Sequence, residues 1–242
     1  MALKMRKARK SVVRRRKARA PAKKSSMVAL IKKTIMKTAE TKEYRHGIQI
    51  VPLLHNTPAV ISTNLLRCQV APAVAVNLVD PRIGDSIQCQ GISLRFLFMT
   101  YSDRPNVTFR IWVIKAPPYS AVSGVSPYTY DGWFVNRTGQ WVLDTINNTQ
   151  VTVVKSMTFK PPISDTSQEV GASLHETSFA RTMWVPWNKT VAYQEQSTAT
   201  VTDQSKNYSL QLLCAAYDTY GTLITDFAGK MLVQHSMHFK DF

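Results

Sequence analysis

The 242-residue chain is strongly basic, with 31 Lys and Arg against 15 Asp and Glu and a net charge of +16. It has no run of about 18 apolar residues, which excludes a membrane-spanning helix. Its three cysteines, Cys68, Cys89 and Cys214, are widely spread and odd in number, so they form no disulfide framework and suit a reducing compartment as small core residues.

The charge is concentrated at one end. Residues 1–45 hold 17 Lys and Arg against Glu40 and Glu43, a net of +15, whereas the remaining 197 residues hold 14 basic and 13 acidic side chains, a net of +1. Within "RKARKSVVRRRKAR", residues 6–19, nine of fourteen positions are basic and none is acidic. Repulsion at this density, with no apolar surface to offset the entropy of ordering, predicts a disordered arm until a polyanion neutralises it. The candidate nucleic-acid contacts are Lys4, Arg6, Lys7, Arg9, Lys10, Arg14, Arg15, Arg16, Lys17, Arg19, Lys23 and Lys24, followed by Lys32, Lys33 and Lys37. The run is longer than the five to eight residues, roughly, that an import signal needs, and the two roles are compatible. Val12 and Val13 are too short for the apolar region of a secretory signal, so the five sequons at Asn106, Asn136, Asn147, Asn188 and Asn207 are read as coincidental.

In "SSMVALIKKTIMKTAETKEY", Met27, Leu30, Ile31, Thr34 and Ile35 recur at helical spacing behind Ser26 as a cap, with Lys32, Lys33 and Lys37 off the stripe. This is a candidate short basic amphipathic helix at 27–37, of a kind that lies on a membrane, grips nucleic acid or packs on a partner, though in isolation it is marginal in water. The arm is taken as residues 1–43 and a body as 44–242.

From about Tyr44 the apolar period changes to two. "VTFRIWVIKA" alternates Val107, Phe109, Ile111 and Val113 with Thr108, Arg110, Trp112 and Ile114, and "VTVVKSMTFK" places Val151, Val153, Met157 and Phe159 on one face. In "SIQCQGISLRFLF" the apolar set shifts by one after Cys89, which predicts a bulge at Gly91. "YSLQLLCAAY" and "KMLVQHSMHF" supply two more strands, and weaker candidates lie near 44–51, 59–67 and 181–193. About eight antiparallel strands, punctuated by 12 prolines, predict an all-β body, with a two-sheet sandwich or jelly roll favoured.

Catalytic patterns are missing. Gly229 and Lys230 lack the glycine spacing of a phosphate loop, and no CxxC or HExxH spacing occurs. Of the histidines, His46, His55, His175, His235 and His238, the close pair His235 and His238 falls on opposite strand faces, which argues against a shared metal. Asp80 and Asp85 in "DPRIGD" could help hold a calcium ion in an assembly, but a turn on Pro81 and Gly84 accounts for them. No enzyme, cofactor or resident metal is expected. Tyr119, Tyr128, Tyr130, Trp133 and Phe134 are expected to pack at the surface or between subunits, and Trp184 and Trp187 to act as interface or core anchors.

The opening "RKARKSVVRRRKARAPAKK", "ETKEYRHG", "PRIGDSIQCQGISLRFLF", "VTVVKSMTFK" and the closing "MHFKDF" together cover most of the chain in order. In these the chain resembles the capsid proteins of small circular single-stranded DNA viruses that encode a replication initiator, the circovirus-like group. The resemblance implies an eight-stranded viral jelly roll, lettered B to I, that self-assembles into an icosahedral shell of about sixty copies, with an inward arm that also serves nuclear import. Strand D then falls at 85–101, E at 107–115, F at 150–159, H at 207–217 and I at 228–240. The expected partners are the viral genome, other copies of the chain, a host import receptor and a host surface receptor, with no stable membrane insertion; the connections 116–149 and 160–180 are assigned to host contact by position alone, since loops on a rigid scaffold carry recognition. The implied locations are the virion and, during assembly, the host nucleus. This arm mixes in more lysine than the best-known circovirus pattern. A small RNA virus capsid protein and a single-strand-binding protein are the rival readings.

Overall fold

In this computed structural model the described residues are 27–69, 81–101, 104, 106–117, 133–135, 140–161, 178–193, 204–219 and 223–241. They form two units that divide between Lys37 and Thr38. Helix α1 (Met27–Thr38) belongs to the first apart from its last residue. The second is built from β1 (Lys42–Arg45), β2 (Gln49–Leu54), β3 (Ala59–Ser62), β4 (Ser86–Thr100), β5 (Val107–Ala116), β6 (Phe134–Val135), β7 (Thr145–Ile146), β8 (Thr152–Phe159), β9 (Ser178–Ala192), β10 (Ser209–Asp218) and β11 (Phe227–Asp241).

Alternating side chains give each long strand one apolar face, and two sheets bury those faces against each other. The first sheet has the order β1-β11-β4-β9, with β2 pairing β11 beyond β1; the second has the order β3-β10-β5-β8. All named pairings are antiparallel. Between successive long strands the chain crosses from one sheet to the other, except from β5 to β8. The body is therefore an all-β jelly roll, with β1 and β2 together serving as strand B and β3, β4, β5, β8, β9, β10 and β11 as C to I.

Aromatic rings tie the sheets together. Phe98 of β4 lies 5.0 Å from Phe109 of β5, 4.6 Å from Phe159 of β8 and 5.3 Å from Phe179 of β9, centroid to centroid. The rings of Phe159 and Phe179 meet edge-on at 5.2 Å. Cys68, Cys89 and Cys214 are buried among these apolar residues as thiols. Burial pushes the Cys89 thiol up to about 12 and the Cys214 thiol higher still, so both are inert at neutral pH.

Two irregularities shape the sheets. Gln90 has no partner in the ladder with β9 or in that with β11, which places the expected bulge at Gln90 and Gly91. A Cβ on Gly91 would stand 2.2 Å from the Trp184 indole, so the glycine admits that ring across the strand. In β8 the register against β5 skips Val154. The bulge divides a face expected to be continuous: Met157 and Phe159 pack toward the main core, while Val151 and Val153 join a second apolar cluster.

That second cluster corrects the expectation for two aromatics. Trp133 and Phe134 are buried within the chain against Trp112, Ile114, Leu213 and Ala215, with Trp141 and Ile146 alongside. The short β6 and β7 hairpin thus covers the outward face of β5 and β10, and Arg110 donates to the Val142 carbonyl beneath it. Tyr119, Tyr128 and Tyr130 lie outside the described residues. Trp187 is a core anchor, whereas Trp184 stays 44% exposed.

Glycine substitutions should separate two kinds of crowding. At Gly229 a new Cβ would meet the Met99 backbone carbonyl at 2.6 Å, which cannot move as a partly exposed indole can. Gly229→Ala is expected to cost about 2–3 kcal/mol and Gly91→Ala about 1 kcal/mol, with a shift in tryptophan emission only for Gly91→Ala, as read by denaturant unfolding followed by fluorescence.

Candidate nucleic-acid interface and buried polar clusters

The expected contacts from Lys4 to Lys24 lie outside the described residues. Lys32, Lys33 and Lys37 fall on α1, and of these the Lys37 side chain is described and exposed. Alanine, leucine and lysine favour this helix, and no acidic residue occupies its first turn. Lys37 sits in the last turn, where a cation complements the helix dipole. Met27, Leu30, Ile31 and Ile35 are 51–77% exposed. Residues of the Leu30, Thr34 and Ile35 stripe share one face, and the Thr34 hydroxyl donates back to the Leu30 carbonyl at 3.0 Å.

In the body, the structure sorts charges that the sequence leaves nearly balanced. Strands β5, β8 and β9 contain Arg110, Lys115, Lys155, Arg181 and Lys189 and no carboxylate. Lys155 Nζ donates to the Trp184 carbonyl at 2.7 Å, reaching from one sheet to the other. Lys189 Nζ lies 4.5 Å from the centre of the Trp187 ring and Lys115 Nζ 4.8 Å from that of Tyr208. The Trp187 indole N–H in turn donates to the Tyr208 hydroxyl at 3.3 Å. No spacing rule links these residues, because they come from three strands separated by long connections.

Three polar clusters have structural explanations. Arg82, 1% exposed, stacks on Tyr193 at 4.3 Å and donates to the carbonyls of Cys68 and Gly84. Gly84 adopts φ +82°, so the "PRIGD" turn is an arginine-stapled turn. Asp85 is exposed beside it, and Asp80 lies outside the described residues. At one end of the sandwich Arg104 contacts Asp218 at 3.6 Å and Asp226 at 3.1 Å, while the Asp218 backbone N–H donates to His55 Nδ1 at 3.1 Å.

The third cluster joins β11 to the segment after β1. The imidazoles of His46 and His235 stack at 3.9 Å between centroids, and the His46 backbone N–H donates to the His235 carbonyl. His46 Nε2–H donates to the Arg67 carbonyl at 3.0 Å, while the buried His235 Nε2 has no hydrogen-bond partner. His238 faces the other way, against Trp184 at 5.2 Å. Among the described residues, no group of three or more His, Cys, Asp or Glu is placed to hold a metal ion.

No protein-family description matches the chain, and no curated protein matches it. Among solved structures it is similar to the VP2 subviral particle of infectious bursal disease virus, at 11% identity and a TM-score of 0.18. The alignment covers 82% of this chain and 41% of that one, so the chain spans about two fifths of its length. A likeness at that score carries no functional argument.

The histidines predict how stability depends on pH. Burial, and then the neighbouring His46, hold His235 well below its ordinary value of 6.5; burial likewise lowers His55, opposed by Asp218. With both folded-state values depressed, the unfolded chain binds more protons, so stability is full above about 6.5 and declines as pH falls through that value. The thermal midpoint is expected to drop between pH 7 and pH 5, and His235→Leu to flatten part of that drop, leaving the His55 share. Equal slopes for the two proteins would remove His235 from the account.

Proposed function

We propose that the chain is the structural protein of a viral capsid, in which the jelly roll tiles the wall and the basic arm neutralises packaged single-stranded DNA. The observation that carries this reading is the partition of charge over the fold: a net of +15 in residues 1–45 precedes a jelly roll whose sequence from residue 46 onward nets +1. A near-neutral body can pack many copies side by side without mutual repulsion, while a dense polycation binds phosphate chains with little regard to sequence.

The amounts are compatible. Residues 1–37 hold 15 basic side chains and no acid. In a shell of about sixty copies they would offset on the order of 900 phosphates, with counterions neutralising the rest. Import into the host nucleus belongs to the same proposal, since such an arm exceeds the length that import signals need.

Full-length protein expressed alone should give uniform spherical particles by negative-stain electron microscopy, with nuclease-protected nucleic acid inside. Replacing the nine Lys and Arg of residues 6–19 by Gln should leave the body folded, remove most of the protected nucleic acid and lower the salt slope of DNA binding by about 6. Small oligomers that bind DNA without closing would overturn the capsid reading in favour of a single-strand-binding protein.

A further inference from the structure

Among the described residues the two sheets have edge strands on two flanks, β8 and β9 on one and β1, β2 and β3 on the other. Partner positions in an antiparallel pair share a face, so the ladders show which edge side chains point toward the inside. Lys155 stands opposite Val113, Arg181 opposite Phe96, Lys189 opposite Cys89 and Lys115 opposite Leu210. All four partners belong to the main core. These cations therefore rim the mouth between the sheets rather than decorating an outer face.

Inward-pointing charges on edge strands commonly serve to block edge-to-edge aggregation. That role needs charge but not one sign, and the opposite flank shows how this chain otherwise meets it. There the inward Lys42 pairs with Asp241 at 2.7 Å and the neighbouring Arg45 with Glu43 at 2.8 Å. The β8 and β9 flank differs: none of the ion pairs among the described residues includes Lys115, Lys155, Arg181 or Lys189. Their anchors are apolar or neutral, namely the Trp187, Tyr208 and Phe179 rings and the Trp184 carbonyl. Such contacts hold the stems in place and, among the described residues, leave the charges uncompensated.

From Arg181 to Lys189 the strand spans about 26 Å at roughly 3.3 Å per residue, with Lys155 reaching β9 between them at Trp184. We propose that this flank is a second nucleic-acid site, a track for the sugar-phosphate backbone of a single strand held by Lys115, Lys155, Arg181 and Lys189. The assignment rests on the packaging role proposed above and adds a contact made by the folded body. Because phosphate contacts position a strand without reading it, the track should accept any sequence. Among the described residues it has the charge of a polyanion site, and Trp184 is the large apolar side chain it exposes, short of the wide apolar surface of a subunit interface core.

The test compares three full-length proteins with the arm intact: wild type, the neutralised triple variant Lys155→Gln, Arg181→Gln and Lys189→Gln, and the charge-preserving double variant Lys155→Arg and Lys189→Arg. Each is titrated with a fluorescent oligothymidine across a salt series and photo-cross-linked to a bromodeoxyuridine oligonucleotide. Neutralising three phosphate contacts should lower the salt slope by about 2, weaken binding at least tenfold at low salt and abolish cross-links to β8 and β9, while the double variant matches wild type. Unchanged slopes with cross-links confined to residues 1–37 would overturn the track and leave the arm model standing. A triple variant that assembles differently but binds DNA as wild type does would also overturn it. That outcome would assign the flank to an acidic stretch of this or another copy, such as the sequences 162–177 and 194–203, whose Asp165, Glu169, Glu176, Glu195 and Asp203 are accompanied by no Lys or Arg. Failure of the packaging role itself reads differently: no shells, or shells without nuclease-protected nucleic acid.

Discussion

The contact of Phe98 with Phe109, Phe159 and Phe179 is the interaction on which the rest of the body depends. Each ring comes from a different strand, two from each sheet, so the cluster fixes the separation of the sheets and the relative placement of β8 and β9. Aromatic pairs of this kind contribute about 0.5–1.5 kcal/mol each beyond the area they bury. Where Phe159 meets Phe179 the flank is closed by carbon; farther along, Lys155 spans the gap to the Trp184 carbonyl instead. The mouth between the sheets is held at a width that a lysine side chain can bridge, and that width is set by the phenylalanines.

The irregularities follow from serving both sheets at once. Strand β11 pairs with β4 over most of its length while β1 and β2 divide its other edge. The break between them is occupied by His46, whose backbone N–H still donates to the His235 carbonyl, so the edge stays hydrogen-bonded where it stops being a strand. The bulge at Gln90 bends β4 locally and lets the Trp184 ring lie over Gly91, which carries Trp184 onto the outer face while its carbonyl remains at the flank.

Period-two alternation made the long strands legible: the segments expected as D, E, F, H and I coincide closely with β4, β5, β8, β10 and β11. The Gly91 bulge was legible for the same reason, because an inserted residue moves the apolar set to the other face. The bulge at Val154 was hidden because Val153 and Val154 are both apolar, so the switch leaves no mark in the pattern. The division of strand B into β1 and β2 was likewise unmarked. Trp133 and Phe134 misled for a different reason: they cover the outer face of β5 and β10, and Trp112 and Ile114, which call for that cover, were read only as the second face of an alternating strand. An apolar residue on both faces of a strand is the signal that a second layer exists. The arm's residues from Lys4 to Lys24 were legible as charge and lie outside the described structure.

The flank shows why a net charge conceals so much in a β protein. From residue 46 onward the basic and acidic totals nearly cancel, yet cancellation along the chain is not cancellation in space. Strands alternate their side chains between two faces and pair with partners far away in sequence, so charges add locally according to face and register rather than order. Here β5, β8 and β9 contribute cations alone to one edge of the sandwich, and the inward position of four of them becomes visible only when each is matched to its core partner across the ladder. The same body can therefore be nearly neutral to its neighbours at long range and strongly basic along one narrow mouth, because at physiological ionic strength a surface charge is screened within about 8 Å.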